Sequence, residues 1–166
     1  MHRLFWGLLF VLLDWPVTVG RATVEILPDF LGFYLLMRAM ERMADRSVRF
    51  NRGRHWAFGL SLLSGILFTA DLLDPEAMAR VWLWALALAQ LVVTLVLLGV
   101  IRRGLSEMGR DTERLKAMEG ILWAVLPICH LVSWVPLVGS VCRVAALVTA
   151  GLYLAVFAVT VMKKRS

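Results

Sequence analysis

The apolar residues of this chain run in long blocks, and its charged residues are largely confined to the gaps between them. Residues 56–73, 81–101, 121–135 and 143–162 predict membrane-spanning helices. At 1.5 Å per residue the second covers about 31 Å, enough for the hydrocarbon core of a bilayer. The third is short and carries Pro127, which predicts a kink or a continuation through Pro136. The first forty residues are less regular. Residues 4–19 contain Asp14 and Pro16, and residues 26–43 are interrupted by Pro28, Asp29 and Arg38. Either two short spans or a re-entrant hairpin would fit. The expected fold is an all-α polytopic helical membrane protein of six segments, with five plus a re-entrant hairpin as the alternative. It forms a single integral membrane domain, residues 1–166, of three hairpins at 1–43, 56–101 and 121–162. Linkers at 44–55 and 102–120 join them.

Charge orients this arrangement. Of eighteen Lys and Arg residues, only Arg21, Arg80 and Arg143 fall in the gaps on one side. The other side collects Arg3, the series from Arg38 to Arg54, the group from Arg102 to Lys116, and Lys163, Lys164 and Arg165. Short loops rich in Lys and Arg stay in the cytoplasm, so both termini and both linkers are expected there. Tryptophan gives an independent check, since its amphipathic ring favours interfacial depths. Trp6, Trp56 and Trp123 fall near the inner boundary, and Trp15, Trp82, Trp84 and Trp134 near the outer one. The run 4–13 after Arg3 has the look of a signal peptide, but residues 14–17 offer no small-x-small cleavage site. An uncleaved first span is the expectation.

With 60% hydrophobic residues and a mean hydropathy of +0.77, a chain of 166 residues has too little polar surface for a soluble globule. Its net charge of +6 is spread over separate loops, which argues against nucleic acid and for anionic lipid of the inner leaflet. Cys129 and Cys142 are too few for a disulfide scaffold and sit in apolar surroundings, where Cys acts as a small hydrophobe. A bridge across the last hairpin is the alternative, since the two lie at similar depths on either side of its turn. Asp74-Pro75-Glu76 is a helix-start signal. Residues 104–120 mix apolar and charged positions, as a short interfacial helix or a continuation of the preceding span would.

Ile26-Leu27-Pro28-Asp29-Phe30-Leu31-Gly32-Phe33-Tyr34-Leu35 resembles the Ile-Leu-Pro-Asp-Phe-x-Gly-Tyr stretch of a group of small multi-pass membrane proteins of Gram-positive bacteria. Phe33 stands here in place of the usual Tyr, with Tyr34 next to it, and the likeness covers about the first forty residues. It implies a bacterial cytoplasmic (plasma) membrane protein and transfers no catalytic residue, because that group has no established activity. A physical reading of the motif stands beside it. Asp29 can accept from the free N–H groups of a helix beginning at Phe30, and Gly32 permits close approach by a neighbouring helix.

Candidate chemistry is sparse. The outer half collects Asp14, Glu25, Asp29, Asp71, Asp74 and Glu76. Asp14 and Asp71 lie near the C-terminal ends of their spans, where the helix dipole disfavours an anion. They call for compensation, with Arg143 and Arg21 as partners in a structural salt bridge. The sharper alternative is a shared hydrophilic cavity holding Asp14, Asp29, Asp71 and His130. A lone imidazole such as His130 more often bonds a neighbouring helix than binds metal or moves protons. Ala57, Ser61, Gly65 and Thr69 recur every four residues, a stripe that lets helices pack closely and explains Ser61 better than a nucleophile would. Arg38 can snorkel to the headgroups. No motif of metal, phosphate or serine chemistry is present, so no cofactor and no catalytic residue is expected. The expectation is a non-enzymatic scaffold or accessory subunit that packs on a membrane-protein partner or a second copy. The alternative is a small transporter or ion-binding protein using the acidic cluster.

Overall fold

A computed structural model describes residues 2–13, 16–19, 22–25, 29–73, 81–132 and 136–162. Among these, six helices carry the fold: α1 (His2–Leu12), α2 (Asp29–Glu41), α3 (Val48–Leu73), α4 (Val81–Glu107), α5 (Glu113–Val132) and α6 (Pro136–Met162). Each packs on the next, and α6 returns to α1. Three segments, Ala85–Glu107, Glu113–Val132 and Ser140–Met162, are long and apolar enough to cross a bilayer. The chain is an all-α, multi-pass helical membrane protein. Helix α3, at 26 residues, is as long as these but opens on Arg49, Arg52, Arg54 and His55.

One element departs from the helical pattern. Between α1 and α2, strands β1 (Pro16–Val19) and β2 (Ala22–Glu25) pair antiparallel, with Val17 opposite Val24 and Thr18 opposite Thr23. β-Branched residues favour a pleated backbone, and a proline at the first strand position removes no ladder bond from its middle. The described residues between 2 and 43 therefore include helix, ribbon and helix. At 11 and 13 residues, α1 and α2 are each about 16–20 Å long, short of the ~30 Å core.

The linkers are also shorter than hydropathy implies. Helix α3 begins at Val48, α4 runs on to Glu107, and α5 starts at Glu113 and continues through Pro127, so much of 44–55 and 102–120 is helical. Apolar patterning ends where charges begin, but Arg and Glu are good helix formers and carry the helices past that edge. Helix α4 stops at Gly109, whose φ of 75° suits a residue without Cβ. The Arg110 N–H reaches Leu105 O at 3.0 Å and the Gly109 N–H reaches Ser106 O at 2.8 Å, a Schellman closure. The helix-start signal at Asp74-Pro75-Glu76 lies outside the described residues, as do Trp15 and Trp134.

The arginine-bearing start of α3 meets the end of α4 through Arg49 and Glu107, and α4 meets the start of α5 through Arg102 and Glu119. Helices α1 and α6 meet around His2, Phe5, Ala158 and Val161. Among the described residues the buried core includes Leu4 and Leu8, Phe33 and Met40, Phe50, Leu98 and Ile101, Leu115 and Leu122, and Tyr153 and Phe157. On α5 and α6, Ile128, Leu131, Val141, Val144 and Val148 are exposed. The tightest crossing joins α1 to α2. A Cβ on Gly32 would lie 2.9 Å from Gly7 O and 2.7 Å from Val11 Cγ2, and one on Gly7 would lie 2.8 Å from Leu36 Cγ. These backbones touch because neither residue has a side chain.

Gly32→Val is expected to lower the stability of the detergent-solubilised protein by about 1–3 kcal/mol, the usual cost of overpacking. Gly59→Ala, where nothing lies within 4 Å of the new Cβ, should be neutral or stabilising by up to ~1 kcal/mol through helix propensity. Thermal melting of both variants beside the parent checks the contrast.

Candidate functional site

Polar side chains hold the helices together at two levels. At the arginine-rich end, Ser47 precedes α3 in extended conformation and its Oγ accepts the Arg49 N–H at 3.2 Å, which satisfies one of the helix's free donors. The same hydroxyl donates to Glu107 Oε2 at 2.5 Å, while Arg49 Nε donates to Glu107 Oε1 at 2.5 Å. One carboxylate at the end of α4 thus grips both the cap and the first turn of α3. Deeper in, Arg102 Nε of α4 donates to Glu119 Oε2 of α5 at 2.6 Å. Glu119 reaches this position by lying over Gly99, where a Cβ would come within 2.8 Å of Oε1. The Tyr153 hydroxyl of α6, buried and without a hydrogen-bond partner among the described residues, lies within electrostatic range of this pair.

At the other end the start of α2 is pinned between α3 and α4. Ser61 Oγ donates to Phe30 O at 2.9 Å, Phe30 packs on Phe68 with ring centroids 5.6 Å apart, and Gln90 Nε2 donates to Asp29 Oδ2 at 3.3 Å. Ala57 is fully buried, and a Cβ on Gly65 would meet Phe30 Cβ at 3.9 Å. The stripe of Ala57, Ser61 and Gly65 is therefore occupied by α2 of the same chain, and it is not a free face for a second molecule.

Of the proposed acidic cluster, Asp29 is half-buried at the first position of α2. Asp14 lies outside the described residues, and Asp71 is described by its backbone alone, in the last turn of α3. His130 is half-buried near the end of α5. Arg143 is exposed on α6 and, among the described residues, pairs with no acid. Among the described residues no group of three or more His, Cys, Asp and Glu side chains could hold a metal ion. Comparison with protein-family models, curated proteins and solved structures finds no match. The chemistry of the chain must be read from its own geometry.

Three of the residues in these polar contacts, Gln90, Glu107 and Glu119, carry little signal in the sequence. Gln90 is the chain's lone glutamine and stands inside an apolar block, which marks it as a residue needing a partner within the bundle. Glu107 and Glu119 are the acids that meet Arg49 and Arg102 respectively, but hydropathy assigns both to a linker.

The Arg102 and Glu119 side chains are 15% and 13% exposed, whereas those of the Arg38–Glu41 pair on α2 are 47% and 46% exposed. Removing one partner of a buried pair strands a charge. Glu119→Ala should cost about 3–5 kcal/mol, and the double variant Arg102→Met with Glu119→Leu should recover most of it. Arg38→Ala should stay within about 0.5 kcal/mol. A double-mutant cycle on thermal stability checks both expectations.

Proposed function

We propose that this chain is a non-enzymatic scaffold or accessory subunit of a bacterial cytoplasmic membrane, working by helix packing against another membrane protein or a second copy. The carrying observation is the uneven burial of its spans. In the most apolar stretch of α4, 33% of residues are buried within the chain, against 22% for α6 and 11% for α5. The polar contacts traced above bind helices of this chain to one another, while α6 presents Val141, Val144, Ala145, Val148 and Thr149 around a shallow groove of about 610 Å³. Apolar faces of this kind meet lipid or another helix, and small residues among them let a helix come close.

Six segments with both termini in the cytoplasm accompany this proposal. Its support is the gathering of arginines at one end, where Arg42, Arg46, Arg52, Arg103, Arg114 and Lys116 are all exposed and suited to anionic headgroups. The likeness of residues 26–35 to small membrane proteins of Gram-positive bacteria supports the bacterial setting. A second reading, ion or solute handling, is favoured by one observation: Asp29 is half-buried against Gln90, whose Oε1 is buried and accepts no hydrogen bond among the described residues.

Assembly and flux separate the two. Under the first reading the tagged chain, extracted in mild detergent, runs as a stoichiometric complex. Asp29→Asn should leave that complex unchanged, and Ala145→Trp should weaken it roughly tenfold, about 1.4 kcal/mol, without lowering the melting temperature. A chain that stays monomeric yet conducts ions in proteoliposomes, with conduction lost on Asp29→Asn, establishes the second reading instead. Orientation is checked in a background of Cys129→Ser and Cys142→Ser. A membrane-impermeant maleimide added to intact cells should label Arg143→Cys and leave Arg52→Cys unlabelled; the reverse pattern would invert the topology.

A further inference from the structure

Where α6 returns to α1, the two helices leave a groove of about 270 Å³ between them. His2 and Phe5, one turn apart, form its α1 wall, and Ala158, Val161 and Met162 form its α6 wall. Phe5 and Val161 also pack on the buried core, so the groove borders that core and its sides are largely apolar. Ala158 is the smallest of the five side chains, and a larger one there would occupy the space.

The charge around this groove has one sign. Arg3 is exposed beside His2 and, among the described residues, pairs with no acid. In sequence Met162 is followed directly by Lys163, Lys164 and Arg165, all within about 11 Å of chain. Residues 1–13 contain no Asp or Glu, and neither do residues 120–166. Like charges brought to one helix junction repel, and neither helix supplies a counter-charge. A free inorganic anion would answer the charge but leave the apolar walls unfilled. An uncharged acyl chain would do the reverse. Trp6, exposed in the first turns of α1, marks the depth of the membrane interface. At that depth a phospholipid carries its phosphate immediately beside the start of its acyl chains.

We propose that the groove holds one anionic phospholipid, with an acyl chain against Phe5, Ala158 and Val161 and its phosphate among Arg3 and the basic residues that follow Met162. The exposed arginines of α2 to α5 make an open surface that any anionic headgroup can visit, whereas this groove bounds a single molecule between two helices. The lipid completes the packing of α1, an 11-residue helix whose other neighbour is α2, against the last span. The site stands apart from the scaffold and ion-handling readings, because its test reads bound lipid and neither assembly nor flux.

The full chain is purified in mild detergent, given an equimolar mixture of phosphatidylglycerol and phosphatidylcholine, and weighed by native mass spectrometry. The expected result is one retained phosphatidylglycerol per chain, preferred over phosphatidylcholine roughly tenfold, about 1.4 kcal/mol. Ala158→Phe fills the groove and should abolish retention. The triple variant Arg3→Gln, Lys163→Gln and Lys164→Gln keeps the walls and should hold a lipid without preference between the headgroups. Because it leaves the packed side chains alone, the triple variant reads the site even where Ala158→Phe does not fold. Equal retention of the two lipids by the parent, a preference that survives the triple variant, or a folded Ala158→Phe that keeps its lipid overturns the proposal. Lipid retention that rises on removal of residues 163–166 identifies those residues as the occupant and overturns it as well.

Discussion

An arginine side chain is costly in hydrocarbon unless it reaches the interface or meets an acid, and the rest of this structure follows from that constraint. Where Arg49 and Arg102 meet acids, they fix how the starts of α3 and α5 sit against the end of α4. Where an arginine lies deeper, as Arg102 does, Glu119 accompanies it, and Gly99 leaves the space that the carboxylate needs. Where the chain leaves the apolar layer, Glu107 holds the start of α3 through Ser47 and Arg49. The buried core sits beside these contacts. Among the described residues, polar registration and apolar packing stand side by side.

The start of α2 is arranged differently. Its described contacts are few and local: Ser61 to Phe30 O, Gln90 to Asp29, and Phe30 on Phe68. They secure α2 against α3 and α4 and leave much of α5 and α6 exposed.

Hydropathy and charge made the long spans legible in advance, because lipid imposes a simple rule on continuous apolar stretches. Gly32 at a close helix crossing was legible too, since small residues have a local signature. Three features were not. The ribbon of residues 16–25 alternates Val and Thr around Gly20-Arg21, a strand pattern hidden inside an apolar block. The continuation of α4 past its apolar block was one of the readings open for residues 104–120, but the acids that Arg49 and Arg102 meet, Glu107 and Glu119, are not revealed by proximity along the chain. Gly7, within an unremarked apolar run, owes its importance to Gly32, and no single-helix pattern contains that fact. The partner of the Ala57, Ser61 and Gly65 stripe was equally out of reach: four-residue spacing tells that something packs closely, and only the three-dimensional arrangement tells that it is α2.

The shortness of α1 and α2 also bears on the membrane around the protein. Trp6, Leu31 and Tyr34 are exposed on this pair, whose helical parts measure about 16–20 Å, whereas α3 and α4 extend for about 40 Å. The molecule therefore offers lipid an apolar helical wall of unequal height around its circumference. Acyl chains beside the low side must compress or tilt to match it, at fractions of a kcal/mol per Å of mismatch. Thin bilayers relieve that distortion and thick ones increase it, so lipid chain length itself becomes a variable in how the protein sits in its membrane.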